Sequence, residues 1–185
     1  MAQKGTSGDI SVKVRLFRYA PINKRVLRLR GGTGDLSTFI QFYSRRCKDI
    51  QAPGMQYPVI IVIDNDAGAQ NVFNVVKSVT GATTKPDGTA PFYYVTRNLY
   101  VVPTPLGGQK SMVIEDLFDA SIKGVKLNGK SFNPSDNYNR KTEFGKMEFA
   151  ERIVQKGQGA INFDGFKPLL ANIEGAIAAH AAGVP

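Results

Sequence analysis

The sequence predicts a single α/β domain over residues 1–185, built on a mainly parallel sheet flanked by helices. Three observations carry that expectation. The run PVIIVI at 58–63 is continuously apolar and β-branched, as in a strand covered on both faces. Strand-like runs alternate along the chain with segments whose apolar residues recur at helical spacing. The composition, 42% hydrophobic and 21% charged over 185 residues, suits an ordinary globular core of one domain.

Taken in order, residues 1–9 read as a frayed start. At 10–19, Ile10, Val12, Val14 and Leu16 alternate with Ser11, Lys13, Arg15 and Phe17, which predicts a half-buried strand with a basic outer face. Val26, Leu27 and Leu29 suggest a second short strand ending in Gly31-Gly32-Thr33-Gly34. Thr33 or Asp35 is placed to cap the next helix, where Leu36, Phe39, Ile40 and Tyr43 share a face. A Pro/Gly loop at 51–57 leads into 58–63, expected to be a fully buried interior strand. Val72, Phe73, Val75, Val76 and Val79 form the apolar face of a helix that stops at Gly81, and 82–89 is a turn-rich loop. Strands at 92–96 and 99–104 flank Arg97-Asn98 as a hairpin. A short helix begins over 114–118, and Asn128-Gly129 marks a tight turn in KGVKLNGK. Two further helices cover 144–155 and about 166–182.

Composition narrows the chemistry. The single cysteine, Cys47, excludes an internal disulfide and a multi-cysteine zinc site. The only histidine, His180, stands in an Ala-rich tail, so Cys47 has no evident base and reads as a buried or half-buried helix residue. No apolar run approaches the roughly 20 residues that span a bilayer, and the opening MAQKGTSGD has no secretory apolar stretch. A soluble, cytoplasmic protein without a membrane partner is expected.

Against 15 Asp+Glu stand 24 Lys+Arg, a net charge of +9 and a pI near 9.7. The basic residues crowd the first part of the chain, where Arg15, Arg18, Arg28 and Arg30 are the candidate contacts to DNA or RNA. Such a charge concentrates polyanions near the surface, although a solvated basic face would look the same in sequence.

Asp64-Asn65-Asp66 follows the 58–63 strand. In open α/β sheets ligands bind beyond the carboxyl ends of the strands. Two carboxylates placed there need a cation to remain ionised, and oxygen-only ligands favour Mg²⁺ or Mn²⁺. The other reading stays open: Asp64 caps the next helix and Asp66 faces water. Glu115-Asp116 in SMVIEDLF is a second acidic pair, equally suited to a helix start or to a metal. Lys146, opening a later helix, could steady negative charge on a phosphate. The Gly31–Gly34 loop could offer backbone N–H groups to a phosphate or be only a tight turn, and it matches neither a dinucleotide nor a Walker pattern. Tyr93, Tyr94 and Tyr100 read as core side chains before base-stacking ones.

The ordered set VKVRLFRY, GGTGDL, PVIIVIDNDAGA, NLYVVPTP, IEDLF and KMEFAERIV covers most of the chain and resembles the TOPRIM nuclease-type domain. The resemblance is to the version fused behind the reverse transcriptase of some retrons. It implies a Rossmann-like sheet, Mg²⁺ held by acids and cleavage or transfer at phosphodiester bonds. By position, Asp64 and Asp66 correspond to the metal-binding pair and Glu115 to a later acidic ligand. Asp64 and Lys146 are then the catalytic candidates, with the lysine steadying the phosphate. The implied parent is an RNA-directed DNA polymerase acting in phage defence, with the polymerase domain and its retron RNA/DNA as partners. The departure is the Glu-Gly pair that opens TOPRIM domains: no glutamate precedes Glu115. The resemblance therefore implies a chain that starts after the first strand, which would bind nucleic acid but not cleave it. A non-catalytic nucleic-acid-binding or toxin-regulating module is the alternative.

Overall fold

The computed structural model describes residues 14–16, 32–49, 56–135 and 137–183. The first helix, α1 (Thr33–Arg46), carries its apolar residues on one face; Ile40 is fully buried, and Leu36, Phe39 and Tyr43 pack beside it. Its N-cap is Gly32, with no side-chain cap, so neither Thr33 nor Asp35 takes the role the sequence offered them. Cys47 is buried in the short 3₁₀ turn that follows, as expected.

Strand β1 (Val59–Ile63) leads into α2 (Ala69–Thr80), which ends at Gly81. The hairpin β2 (Tyr93–Thr96) and β3 (Leu99–Pro103) then turns tightly at Arg97-Asn98, Arg97 having φ 48°. The sheet order is β1-β3-β2. Strand β3 runs parallel to β1, from Val59 opposite Leu99 to Ile63 opposite Pro103, and antiparallel to β2. The structure is thus mixed α/β, with one parallel and one antiparallel pairing where a mainly parallel sheet was expected.

Every residue of β3 is buried. Its alternate side chains feed two cores: Leu99 and Val101 join Phe73, Val72 and Ile40 under α1 and α2. Tyr100 and Val102 join Leu169 and Ala176 of the last helix, α6 (Lys167–Ala181), on the other face. Each such side chain contributes about 1.5–3 kcal/mol on leaving water, so helices are held to both faces.

Two expectations are corrected here. Among the described residues 58–63 is not the interior strand; β1 lies at one edge, and Val62 is 38% exposed. A continuous apolar run fixes neither a strand's place in the sheet nor the cover over each of its side chains, and the returning hairpin places β3 at the centre instead. The strand expected at 10–19 is not seen at residues 14–16, which have no regular structure and are exposed, Leu16 by 85%. The rest of it, and the short strand at Val26–Leu29, lie outside the described residues.

After Thr104 the elements shorten. A 3₁₀ turn (Ile114–Leu117) stands where a short helix was expected, followed by one helical turn, α3 (Ala120–Lys123). Strands β4 (Ser131–Phe132) and β5 (Glu143–Phe144) pair in parallel over two residues each. Asn128 and Gly129 both have positive φ, giving the tight turn that their sequence signals. The helix expected from residue 144 starts at Lys146: Phe144 belongs to β5, and α4 (Lys146–Glu148) passes into a π-helical stretch (Phe149–Val154) and a last turn, α5 (Gln155–Gly157). Among the described residues no helix is long and apolar enough to cross a membrane.

Candidate functional site

The carboxyl end of β1 delivers Asp64, and two distant segments meet it there. One oxygen of Asp64 accepts the backbone N–H of Ile114 at 2.8 Å; the other lies 3.3 Å from Nζ of Lys146, 82 residues on. The same ammonium sits 3.0 Å from Oε2 of Glu115. Asp64, Glu115 and Lys146 therefore form one charged group at the end of the sheet.

Each member has a local reason to be there. Glu115 is in the 3₁₀ turn, whose start is held by Asp116: its carboxylate accepts the Val113 N–H at 3.2 Å and pairs with Lys123. Asp116 faces solvent while Glu115, only 8% exposed, turns inward. Lys146 opens its helix directly after Gly145, where a Cβ would come 2.7 Å from the Tyr138 ring. Behind it the aromatic cluster of Phe118, Phe132, Phe144 and Phe149 fixes helix and turn together, with Phe132 and Phe149 stacked at 4.2 Å.

The electrostatics follow from that placement. Burial works against the charge on Lys146, but the Glu115 and Asp64 carboxylates outweigh it and hold its pKa above the ordinary lysine value. Oε2 of Glu115 is buried, and the Lys146 ammonium at 3.0 Å is its close polar contact.

Asp66 is engaged elsewhere. Its Oδ1 accepts the N–H groups of Gly68 at 2.8 Å and Ala69 at 3.3 Å, closing a turn at the start of α2. The non-metal reading gave the helix start to Asp64, but Asp66 holds it, while Asp64 joins Glu115 and Lys146 in the charged group. A carboxylate three residues before the first helical residue satisfies orphan N–H groups at once, and sequence spacing does not reveal which of the two does so. Thr33 lies beside this turn, near Gly68.

Sequence reasoning assigned no role to Asn65. Its backbone exchanges both hydrogen bonds with Met112, at 2.8 and 2.9 Å, pinning the segment that carries Glu115 next to Asp64. Its buried side-chain amide donates to Gly88 O at 2.8 Å and Thr104 O at 3.0 Å. Gly88 has φ +85°, and any side chain there would collide with the Asn65 amide. An amide flanked by two acids after an apolar strand is the one sequence cue to this clamp.

Of the basic candidates Arg15 is exposed; Arg18, Arg28 and Arg30 lie outside the described residues. Tyr100 is buried in the core, and Tyr93 is half-buried against it, its ring edge-on to Phe73 and its hydroxyl donating to Asp87 and accepting from Gly88 and Ala90. Among the described residues no group of three or more His, Cys, Asp or Glu side chains is placed to hold a metal ion. Two carboxylates converge here rather than three. That set fits Mg²⁺ or Mn²⁺, which keep several waters and need only one or two carboxylates with substrate phosphates, and it does not fit a fully protein-ligated ion.

No protein-family model matches the chain, and no solved structure matches it.

Proposed function

We propose that this chain is a metal-assisted, nucleic-acid-processing module of the TOPRIM type, carried by a retron reverse transcriptase with a role in phage defence. The observation that supports it best is the convergence of Asp64 with Glu115 and Lys146, both more than 50 residues further along the chain, onto one point at the carboxyl end of β1. Asp64 and Glu115 would hold Mg²⁺ or Mn²⁺, which when bound polarises a phosphoryl oxygen and lowers the pKa of water. Lys146 supplies a mobile positive charge for a non-bridging phosphate oxygen. Asp66 contributes by fixing the backbone after the strand, so it is a positioning residue and not a ligand in this reading. The net charge of +9, with Arg15, Arg18, Arg28 and Arg30 in the basic opening part, favours a polyanionic substrate, DNA or RNA.

The test is Mg²⁺- or Mn²⁺-dependent cleavage of labelled single-stranded and duplex oligonucleotides by the natural polypeptide to which this chain belongs, against its Asp64→Asn variant. Metal-dependent cleavage lost in the variant is the expected result. Cleavage unchanged by Asp64→Asn overturns the site. Salt-sensitive binding with no cleavage favours a second reading, a non-catalytic nucleic-acid-binding module. The lysine already neutralising the acids speaks for that reading.

A further inference from the structure

We infer that Lys146 is the resident cation of the Asp64–Glu115 pair, and that a divalent ion binds there only by displacing it, so that metal and nucleic acid bind cooperatively. This deepens the metal reading proposed above and rests on it. Three observations carry it. The ammonium lies 3.3 Å from Asp64 and 3.0 Å from Glu115, which is the place where a shared cation would have to sit. Glu115 is 8% exposed, and the Lys146 ammonium is the close cation beside its buried Oε2, in the position a metal ion would take. Lys146 has a route out: its side chain is 37% exposed and stands in the first turn of its helix.

Charge balance shows the direction of the exchange. Two carboxylates against one ammonium leave one negative charge uncompensated; a divalent ion balances both. A divalent ion and an ammonium cannot share that point, because like charges near 3 Å repel strongly even where solvent screens them. The ammonium must therefore leave as metal enters, into water or onto an anion from outside the protein. A phosphate of the nucleic-acid backbone offers one. By linkage, a polyanion that draws Lys146 outward raises the affinity of the vacated carboxylates for metal, and bound metal raises the affinity for the polyanion by the same factor.

Mn²⁺ titration followed by the electron-spin signal of the free ion tests this on the whole chain, with Lys146→Met, Lys146→Arg and Asp64→Asn variants. Lys146→Met is expected to bind Mn²⁺ at least about tenfold more tightly than wild type, since it removes a like charge from the site. Lys146→Arg, which keeps the cation, is expected to stay near wild type, and Asp64→Asn to lose binding. A short oligonucleotide should tighten Mn²⁺ binding by wild type and leave Lys146→Met unchanged. Binding by wild type that Asp64→Asn abolishes but Lys146→Met leaves equal or weaker overturns the exchange while the metal reading stands. No binding by wild type, Lys146→Met or either with oligonucleotide overturns the metal reading itself. Should Lys146→Met fold poorly, the wild-type protein answers alone. The Lys146 ammonium proton signal, protected by its two ion pairs, is expected to be lost during a Mg²⁺ titration. Its persistence at metal saturation overturns the exchange.

Discussion

The sheet with its flanking helices, α6 included, and the segment from Met112 to Phe166 are held together by different means. The first part is a three-stranded sheet with β3 buried along its whole length and helices on both faces. The later part, from Met112 to Phe166, has two-residue strands, single turns and a π-helical stretch, joined by edge-to-face and stacked phenylalanines. Asp64 belongs to the first part, Glu115 and Lys146 to the second. The site is therefore a seam. A rigid strand end supplies one carboxylate, and a less regular segment supplies the partner acid and the cation, which is the arrangement that lets one of them move.

The largest effect is expected from Phe149→Ala. Phe149 is buried and touches both Phe118 and Phe132, so its truncation should cost about 3–5 kcal/mol. Hydrogen exchange sharpens the comparison: amides of 112–166 should lose protection in this variant well before those of β3 do. Equal loss in both parts would show one cooperative unit and remove the seam.

Asn65→Ala comes next. It leaves the buried carbonyls of Gly88 and Thr104 without the amide that bonds them, a cost of about 1–3 kcal/mol by urea denaturation. Because Asn65 stands at the seam, the loss should appear in both parts together. A change confined to the sheet would show that the Met112 pairing alone holds the later segment.

A smaller effect is expected from pH. The folded pKa of Lys146 is raised, so its contribution to stability is complete below the unfolded lysine value of about 10.4 and is lost as pH rises through the folded value. Stability of wild type should thus fall more steeply in that alkaline window than stability of Lys146→Met, measured by thermal unfolding. Parallel curves would place the lysine away from the acids in solution. The least change is expected from Lys123→Ala, which removes only an exposed pair with Asp116 and should cost at most about 1 kcal/mol.

How much of this was legible in the sequence follows the same division. Helices at Val72–Val79 and Leu36–Tyr43, the Arg97-Asn98 hairpin and the Asn128-Gly129 turn are visible because periodicity and turn chemistry are local. The edge position of β1 was not, because pairing order depends on where a later hairpin returns. Asp64, Glu115 and Lys146 were each singled out by residue type and resemblance. Their contact was not readable from spacing, since it depends on the Asn65–Met112 pairing and on the phenylalanine cluster. The role of Asp66 was misassigned for a comparable reason: two acids one residue apart look alike until the backbone turns one toward the helix start.

The most direct test of the account is a Mg²⁺ titration followed by backbone amide NMR. The Ile114 N–H bonds to Asp64, and Glu115 and Lys146 adjoin the same point. The amides of Asp64, Ile114, Glu115 and Lys146 are predicted to shift together on one binding curve, with smaller shifts at Gly68 and Ala69, whose N–H groups stay on Asp66. Shifts centred on Asp66 and Gly68, with Glu115 and Lys146 unmoved, would contradict it.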